Sequence, residues 1–265
     1  MSQPVILWDL SWPELAEKLR EIKVALIPVG STEQHGPNMT FETDTARAYE
    51  FAKLLGARLG EAALVVPPVP FGVSPHHLNF PGTISLEPET FMRVCEEIVR
   101  SLRRHGIKHF FFVNGHGGNR AALTLLMGRL RKDTDVRAAW TSFTSLAGDV
   151  IRERTSSPLL GHACENEVSQ GLYLAPRTVK QDQLAAGKIT EWGRKHWARE
   201  WSRAIEVAAT FDEITSNGAL GDASRASREL GEEIIRVALD RAEEFLRAFI
   251  AQDEGEDARG EDGTP

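Results

Sequence analysis

The sequence contains only two cysteines, Cys95 and Cys164, in 265 residues. That is too few for a disulfide framework or a cysteine-rich zinc site, so a reducing cytosol fits and any metal must be held by histidines and carboxylates. A basic stripe is missing too. The formal charge is −7, and the last fifteen residues hold six acids and one Arg, which leaves residues 1–250 nearly neutral. Nucleic-acid binders show the opposite balance, so no nucleic-acid partner is expected. No apolar run approaches the roughly 20 residues of a membrane span, and MSQPVILWDL at the start carries no basic segment leading into an apolar one. A cytoplasmic protein with no membrane partner is expected. Nor is there an internal repeat or linker within 1–250, which read as one domain followed by an acidic, disordered tail over 251–265.

What is present is a composition with 42% hydrophobic residues, sufficient in a chain of this length to bury a substantial core. Val24–Val29 (VALIPV) reads as a strand stopped by Gly30. A helix over 45–59 follows, with Ala46, Tyr49, Ala52, Leu55 and Leu59 recurring at three and four. Residues 63–66 form a second strand, ended by Pro67, Pro68 and Pro70. Ser85 is positioned to cap the next helix, whose stripe is Phe91, Val94, Cys95, Ile98 and Leu102. Residues 108–113 read as a buried strand and 114–119 (NGHGGN) as a tight loop, before a helix through 130 and a strand near 136–143. Helical segments near 165–174, 188–208 and 224–250 complete the chain. Alternating helices and apolar strands predict an α/β fold: a mostly parallel sheet covered by helices on both faces, with a helical C-terminal portion.

In such sheets ligands bind beyond the carboxyl ends of the strands. Glu33 and His35 follow the strand ending at Val29, with Asp44 just before the next helix, and His116 follows the strand ending at Val113. Singly, each has a plain structural explanation: a solvated loop, a helix cap, a glycine turn. Jointly they supply two imidazoles and two carboxylates, a donor set suited to Zn²⁺ or Mn²⁺. A third cluster, GHACENEVS (161–169), offers His162, Glu165 and Glu167. Residues two apart on a helix project roughly 200° apart, so both glutamates cannot reach one metal pair, and spacing leaves the choice open. His77 lies in a loop after the second strand and reads either as a substrate or ligand-orienting group or as a surface residue. Asn217, Gly218, Gly221 and Asp222 read as pocket closure or as a turn. Trp192, Trp197 and Trp201, spaced by five and four, read as packing or a subunit contact.

The segments VGSTEQHGPNMTFETD, SPHHLNFPGTISL, FFVNGHGGN, GHACENEVS and NGALGD run in order over residues 29–222 and resemble the successive motifs of the creatininase family of metal-dependent hydrolases. The resemblance implies two divalent ions, Zn²⁺ and/or Mn²⁺. Glu33, Asp44 and His116 would hold one and His35, Asp44 and Glu167 the other, with Asp44 bridging; Glu167 is preferred to Glu165 on the resemblance alone. It also implies a homo-oligomer, with a hexamer as one form. An aromatic and an acidic residue follow the NGH histidine in creatinine-cleaving members, whereas here Gly117 and Gly118 follow it, and His76 stands where many relatives carry an acid. NGHGGN resembles branches associated with formamide hydrolysis in flavin-type biosynthesis, peptide trimming in cofactor maturation and ring opening of keto-inositols.

The expected function is therefore two-metal hydrolysis of a C–N bond in a small-molecule substrate: a cyclic amide, formamide or short peptide. His162 is expected to protonate the leaving nitrogen, with Glu165 orienting it and Glu167 as the other catalytic carboxylate. His77, Gly117, Gly118 and Asn119 are expected to contact substrate. Ring opening of a keto-cyclitol is the rival reaction, and a metal-binding maturation factor without turnover is the rival from another class.

Overall fold

The computed structural model describes residues 3–196, 205 and 207–260. Five strands, β1 (Val5–Ile6), β2 (Val24–Val29), β3 (Ala63–Val65), β4 (His109–Asn114) and β5 (Arg137–Ser142), form one sheet in the order β1-β3-β2-β4-β5, and every pair is parallel. All residues of β2 and β4 are buried, which is why neither strand shows polar alternation. Successive side chains still go to opposite faces. Ala25, Ile27, Phe110 and Phe112 pack with α3 (Pro88–Arg103) and α4 (Arg120–Asp133) through Phe91, Cys95, Leu123 and Leu126. Val24, Leu26, Phe111 and Val113 pack with α2 (Thr43–Leu59) and α9 (Arg228–Gly260) through Phe51, Leu55, Ile234 and Leu246.

The strand order places the site. From β2 the chain crosses to β3 on one side, and from β4 it crosses to β5 on the other, so the carboxyl ends of β2 and β4 flank a topological switch point, where open α/β sheets form their crevice. Val29 pairs with Asn114 at the end of the ladder, and Gly115 N–H donates to the Val29 carbonyl at 2.9 Å. The two histidine-bearing loops therefore leave the sheet side by side.

The main elements stand where the residue pattern puts them, with boundaries moved by a few residues. Thr43 begins α2, so Asp44 lies inside its first turn rather than before it. The helix expected to be capped by Ser85 instead starts at Pro88, whose missing N–H and fixed φ suit a first helical position, and Ser85 Oγ accepts from Ser74 N. Short pieces were not signalled by any periodicity: β1, α1 (Trp12–Lys18), α5 (Gly148–Arg154), α8 (Phe211–Ile214), and the antiparallel pair β6 (Leu160–His162) and β7 (Leu220–Gly221). The helix α6 (Glu165–Leu174) has its expected bounds. Of the segment expected over 188–208, α7 (Glu191–His196) is described; residues 197–204 and 206, with Trp197 and Trp201, lie outside the described residues. Trp192 packs beside Phe211, Ile214 and Leu220.

The last helix runs through Gly260. Residues 261–265 lie outside the described residues. Among the described residues no helix is long and apolar enough to cross a membrane. Leu246 is fully buried, and Phe249 and Ile250 pack against the same cluster, whereas 252–265 contain no aliphatic residue larger than alanine. Deleting 252–265 is expected to leave the thermal midpoint nearly unchanged, whereas Leu246→Ala should cost about 2–5 kcal/mol in denaturant unfolding.

Candidate metal centre

Three carboxylates and several imidazoles converge at the switch point, nearly all of them buried: Glu33, His35, Asp44, His77, His116 and His162, with Glu167 at the edge. Each imidazole is oriented by one nitrogen. His35 Nδ1 faces the Glu33 carbonyl at 3.2 Å and His116 Nε2 faces the Val73 carbonyl at 3.0 Å. A carbonyl only accepts, so those nitrogens carry protons, and the opposite nitrogens point inward, where a cation would take the place of any proton they hold. The inward His35 Nε2 lies 3.3 Å from Asp44 Oδ1 and 3.9 Å from Glu167 Oε1, and the inward His116 Nδ1 lies 3.1 Å from Glu33 Oε2 and 3.3 Å from Asp44 Oδ2. This is the tautomer and second-partner arrangement that metal-binding histidines use.

Asp44 divides its carboxylate between the two groups. Its Oδ1 points toward His35 and its Oδ2 toward His116, and both His35 Nε2 and Asp44 Oδ2 are buried without a hydrogen bond of acceptable geometry. Buried polar atoms are rarely left so, and a cation among them would satisfy both. Electrostatics agree. Burial alone would push Glu33 up, but His116 opposes it and holds the carboxyl down at about 2. Burial alone would push His35 down, but Asp44 and Glu167 raise it to about 10. Burial opposes the shift of His116 as well, yet Glu33 and Asp44 carry it well above the ordinary imidazole range. The pocket thus demands positive charge, and the residues present fit divalent cations.

Glu167 is brought in by two contacts. Its Oε1 accepts from the guanidinium of Arg47, and its Oε2 accepts from Ala163 N at 2.7 Å. Ala163 is the one non-glycine residue with positive φ (49°) among those described, and that left-handed turn aims its N–H back at the carboxylate. Arg47, only 2% exposed, also donates to Asp44 Oδ1 at 2.9 Å and to Gln170 Oε1 at 3.0 Å. The residue pattern gave no reason to single out Arg47, which sits one turn beyond Asp44 on α2.

His162 and His77 line the cavity above this cluster. His162 Nε2 donates to the Gln34 carbonyl at 2.6 Å, so Nδ1 is unprotonated and lies 3.8 Å from Glu33 and 3.9 Å from Glu167. Burial, then the nearby His35, push the His162 pKa down. Gly36 N–H fixes the Gln34 amide by donating to its Oε1, and Gln34 Nε2 then donates to the Gly218 carbonyl and to His77 Nδ1 at 2.8 Å. His77 therefore keeps its proton on Nε2, facing Glu33 Oε1 at 3.5 Å, and burial holds its pKa down near 2. Phe211 closes one side, with its ring centroid 4.4 Å from His77 and 5.0 Å from His162. His76, noted in the sequence for standing where many relatives carry an acid, also lines the cavity, and Gln34 and Phe211 are further orienting or lining residues that the sequence did not mark. Phe211 lies on a four-residue helix, too short for periodicity.

Two expected site residues are elsewhere. Glu165 does not orient His162: its carboxylate accepts from Ser156 N and Ser157 N and anchors the preceding loop. Asn119 does not face substrate. It is fully buried, accepts from Val73 N and donates to the Gly30 carbonyl and Asn114, tying three loops together. Gly117 and Gly118 do line the cavity, which measures about 350 Å³. A Cβ on Gly118 would lie 2.1 Å from the Val73 carbonyl and 2.4 Å from His116 Nε2, so its absence is needed for the His116 setting.

Residues 8–246 match the creatininase (creatinine amidohydrolase) family. The chain belongs to the creatininase family. It is 32% identical over 238 residues to the mycofactocin precursor peptide peptidase of Mycobacterium tuberculosis, covering 87% of each chain. It is 26% identical over 264 residues to the 3-dehydro-scyllo-inosose hydrolase of Thermotoga maritima, covering 91% of this chain and 82% of the relative. A mutant creatininase of Zn-Zn type superposes with a TM-score of 0.77 at 26% identity, covering 94% of this chain and 99% of that one, and a manganese form of creatininase is also similar. The creatininase-family chain is thus a hydrolase of α/β architecture, and divalent metals suit its donor cluster. Membership among hydrolases removes the ground for a maturation factor without turnover.

In the metal-free protein the raised pKa of His35 means that a cation entering at neutral pH must displace a proton. Loading metal-free protein with Zn²⁺ or Mn²⁺ at pH 7 should release at least one proton per chain, read with a pH indicator, and affinity should fall as pH is lowered. Gly118→Ala should displace His116 and lower bound metal, read by elemental analysis.

Proposed function

We propose that this chain is a two-metal amidohydrolase that cleaves a C–N bond in a cyclic amide, formamide or short peptide. In this reading Glu33, Asp44 and His116 hold one ion and His35, Asp44 and Glu167 the other, with Zn²⁺ or Mn²⁺ as the metals. The observation that carries it is the split carboxylate of Asp44, whose two oxygens each face the inward nitrogen of a different histidine. When bound, the ions supply a water acidic enough to act near neutral pH and a Lewis acid for the carbonyl.

The chain's own groups do the rest. His162 is neutral with Nδ1 free, so it takes a proton from the attacking water and returns it to the departing nitrogen. The Gln34 carbonyl holds the ring in that tautomer. His77, held by Gln34, presents an Nε2–H to the cavity and can donate to a substrate oxygen. Phe211 packs over both imidazoles and limits water on that side. Among the substrate classes, the similarity to a peptidase that acts on a peptide precursor favours a short peptide. Ring opening of a keto-cyclitol is the second reading, favoured by the inosose hydrolase relative; release of a keto acid in place of an amine would select it. The enzyme is further taken as a cytoplasmic homo-oligomer, a state that sedimentation in dilute buffer tests.

Asp44→Ala should remove both ions, whereas His35→Ala should remove mainly one, as read by metal content per chain. Equal losses would mean that Asp44 is no bridge. His162→Ala should keep its metal and lose about 10²- to 10⁴-fold in turnover on an amide, with a smaller loss on an activated ester whose leaving group needs no proton. Metal loss in parallel with activity would make His162 a ligand instead.

A further inference from the structure

Behind the reaction cavity lies a second one of about 250 Å³, and the two share Gly115, His116, Gly117, Gly161 and Glu167. Of the three glycines in the shared wall, Gly117 borders open space, since a Cβ there would meet nothing within 4 Å, and the wall is lowest at that point. An extended ligand could pass from one cavity to the other.

The second cavity differs in chemistry from the first. It presents Arg120, Ser142, Thr144, Ser145 and Asn166, with no histidine beyond the shared His116. Its charges decide what it can hold. Glu167 is already satisfied on both oxygens, by Arg47 and by Ala163 N, and Arg47 in turn is committed to Glu167 and Asp44. Arg120, exposed at the rim, has no ion pair among the described residues, so it is the one cation of this cavity that faces no carboxylate. The hydroxyls of Thr144 and Ser145 likewise have no hydrogen-bond partner among the described residues, and Asn166 uses only its Oδ1, accepting from Gln170.

We propose that this cavity is an acid-recognition subsite, which receives a carboxylate of the substrate on the Arg120 guanidinium while the scissile bond lies over the Asp44 cluster. A single cation flanked by neutral hydroxyls and an amide matches a monoanion, and the guanidinium fork matches a carboxylate in particular. The inference rests on the amidohydrolase reading and narrows it: the substrate is a short acyl amino acid or peptide with a free carboxylate within a few bonds of the bond cleaved.

The test uses N-acetylglycylglycine and its C-terminal amide on the full chain, with two readouts. In equilibrium binding to metal-free protein, the acid should bind at least about tenfold more tightly than the amide, and Arg120→Gln should abolish that difference while Arg120→Lys restores part of it. In turnover by the metal-loaded protein, the ratio of kcat/KM for acid over amide should fall toward one in Arg120→Gln, with metal content retained. Equal binding of acid and amide by the wild type, or a preference that survives in Arg120→Gln, overturns the subsite whatever the turnover. Arg120-dependent binding of the acid with neither compound hydrolysed upholds the subsite and counts against the amidohydrolase reading.

Discussion

Three carboxylates, Glu33, Asp44 and Glu167, are held within a few ångströms of one another in the interior, and the surrounding structure answers the positive charge they require. Isolated buried anions are costly, so they persist only where cations and donors are fixed beside them. Arg47 supplies permanent charge to Asp44 and Glu167, and Ser74 Oγ donates to Glu33 at 2.6 Å. The remaining demand falls on the inward nitrogens of His35 and His116, whose outer nitrogens are pinned by backbone carbonyls. Exchange of protons for divalent cations at that point needs little rearrangement, because the oxygens and nitrogens already face one another.

This constraint explains why the fold concentrates its irregular segments at one edge of the sheet. The glycine loop after β4 must pass close to α2: a Cβ on Gly115 would sit 2.2 Å from the Asp44 carbonyl. Asn119 fills the gap left between loops by bonding to backbone groups of Val73 and Gly30. It is a structural fastener in the middle of a motif that otherwise faces the cavity, and so a position where chemistry and scaffolding are easily confused.

The central strands and helices were legible because burial on both faces leaves uninterrupted apolar runs such as VALIPV and HFFFV, and because α2 and α3 carry clear stripes. Glu33, His35, Asp44 and His116 were legible because they sit in or beside the loops that follow those strands. What separates Glu165 from Glu167 lies out of reach of spacing: Ser156 and Ser157, from a separate loop, hold the first carboxylate, while Arg47 and Ala163 N hold the second beside the cluster. Arg47 and Phe211 were hidden for the same reason, since each gains its role only through partners distant in sequence. The backbone contacts of Asn119 were hidden because a side chain within a glycine-rich turn reads the same in sequence whether it faces ligand or backbone.

Ala163 puts foldability and chemistry in opposition at one carbon atom. Its left-handed backbone costs an alanine roughly 1–2 kcal/mol, while a glycine there would forgo that strain and lose roughly 0.5–1 kcal/mol to the greater freedom of the unfolded chain. Selection for heat tolerance alone would therefore drift toward glycine at this position. A glycine also visits other φ values freely, so the same change would leave the N–H that fixes Glu167 less firmly aimed.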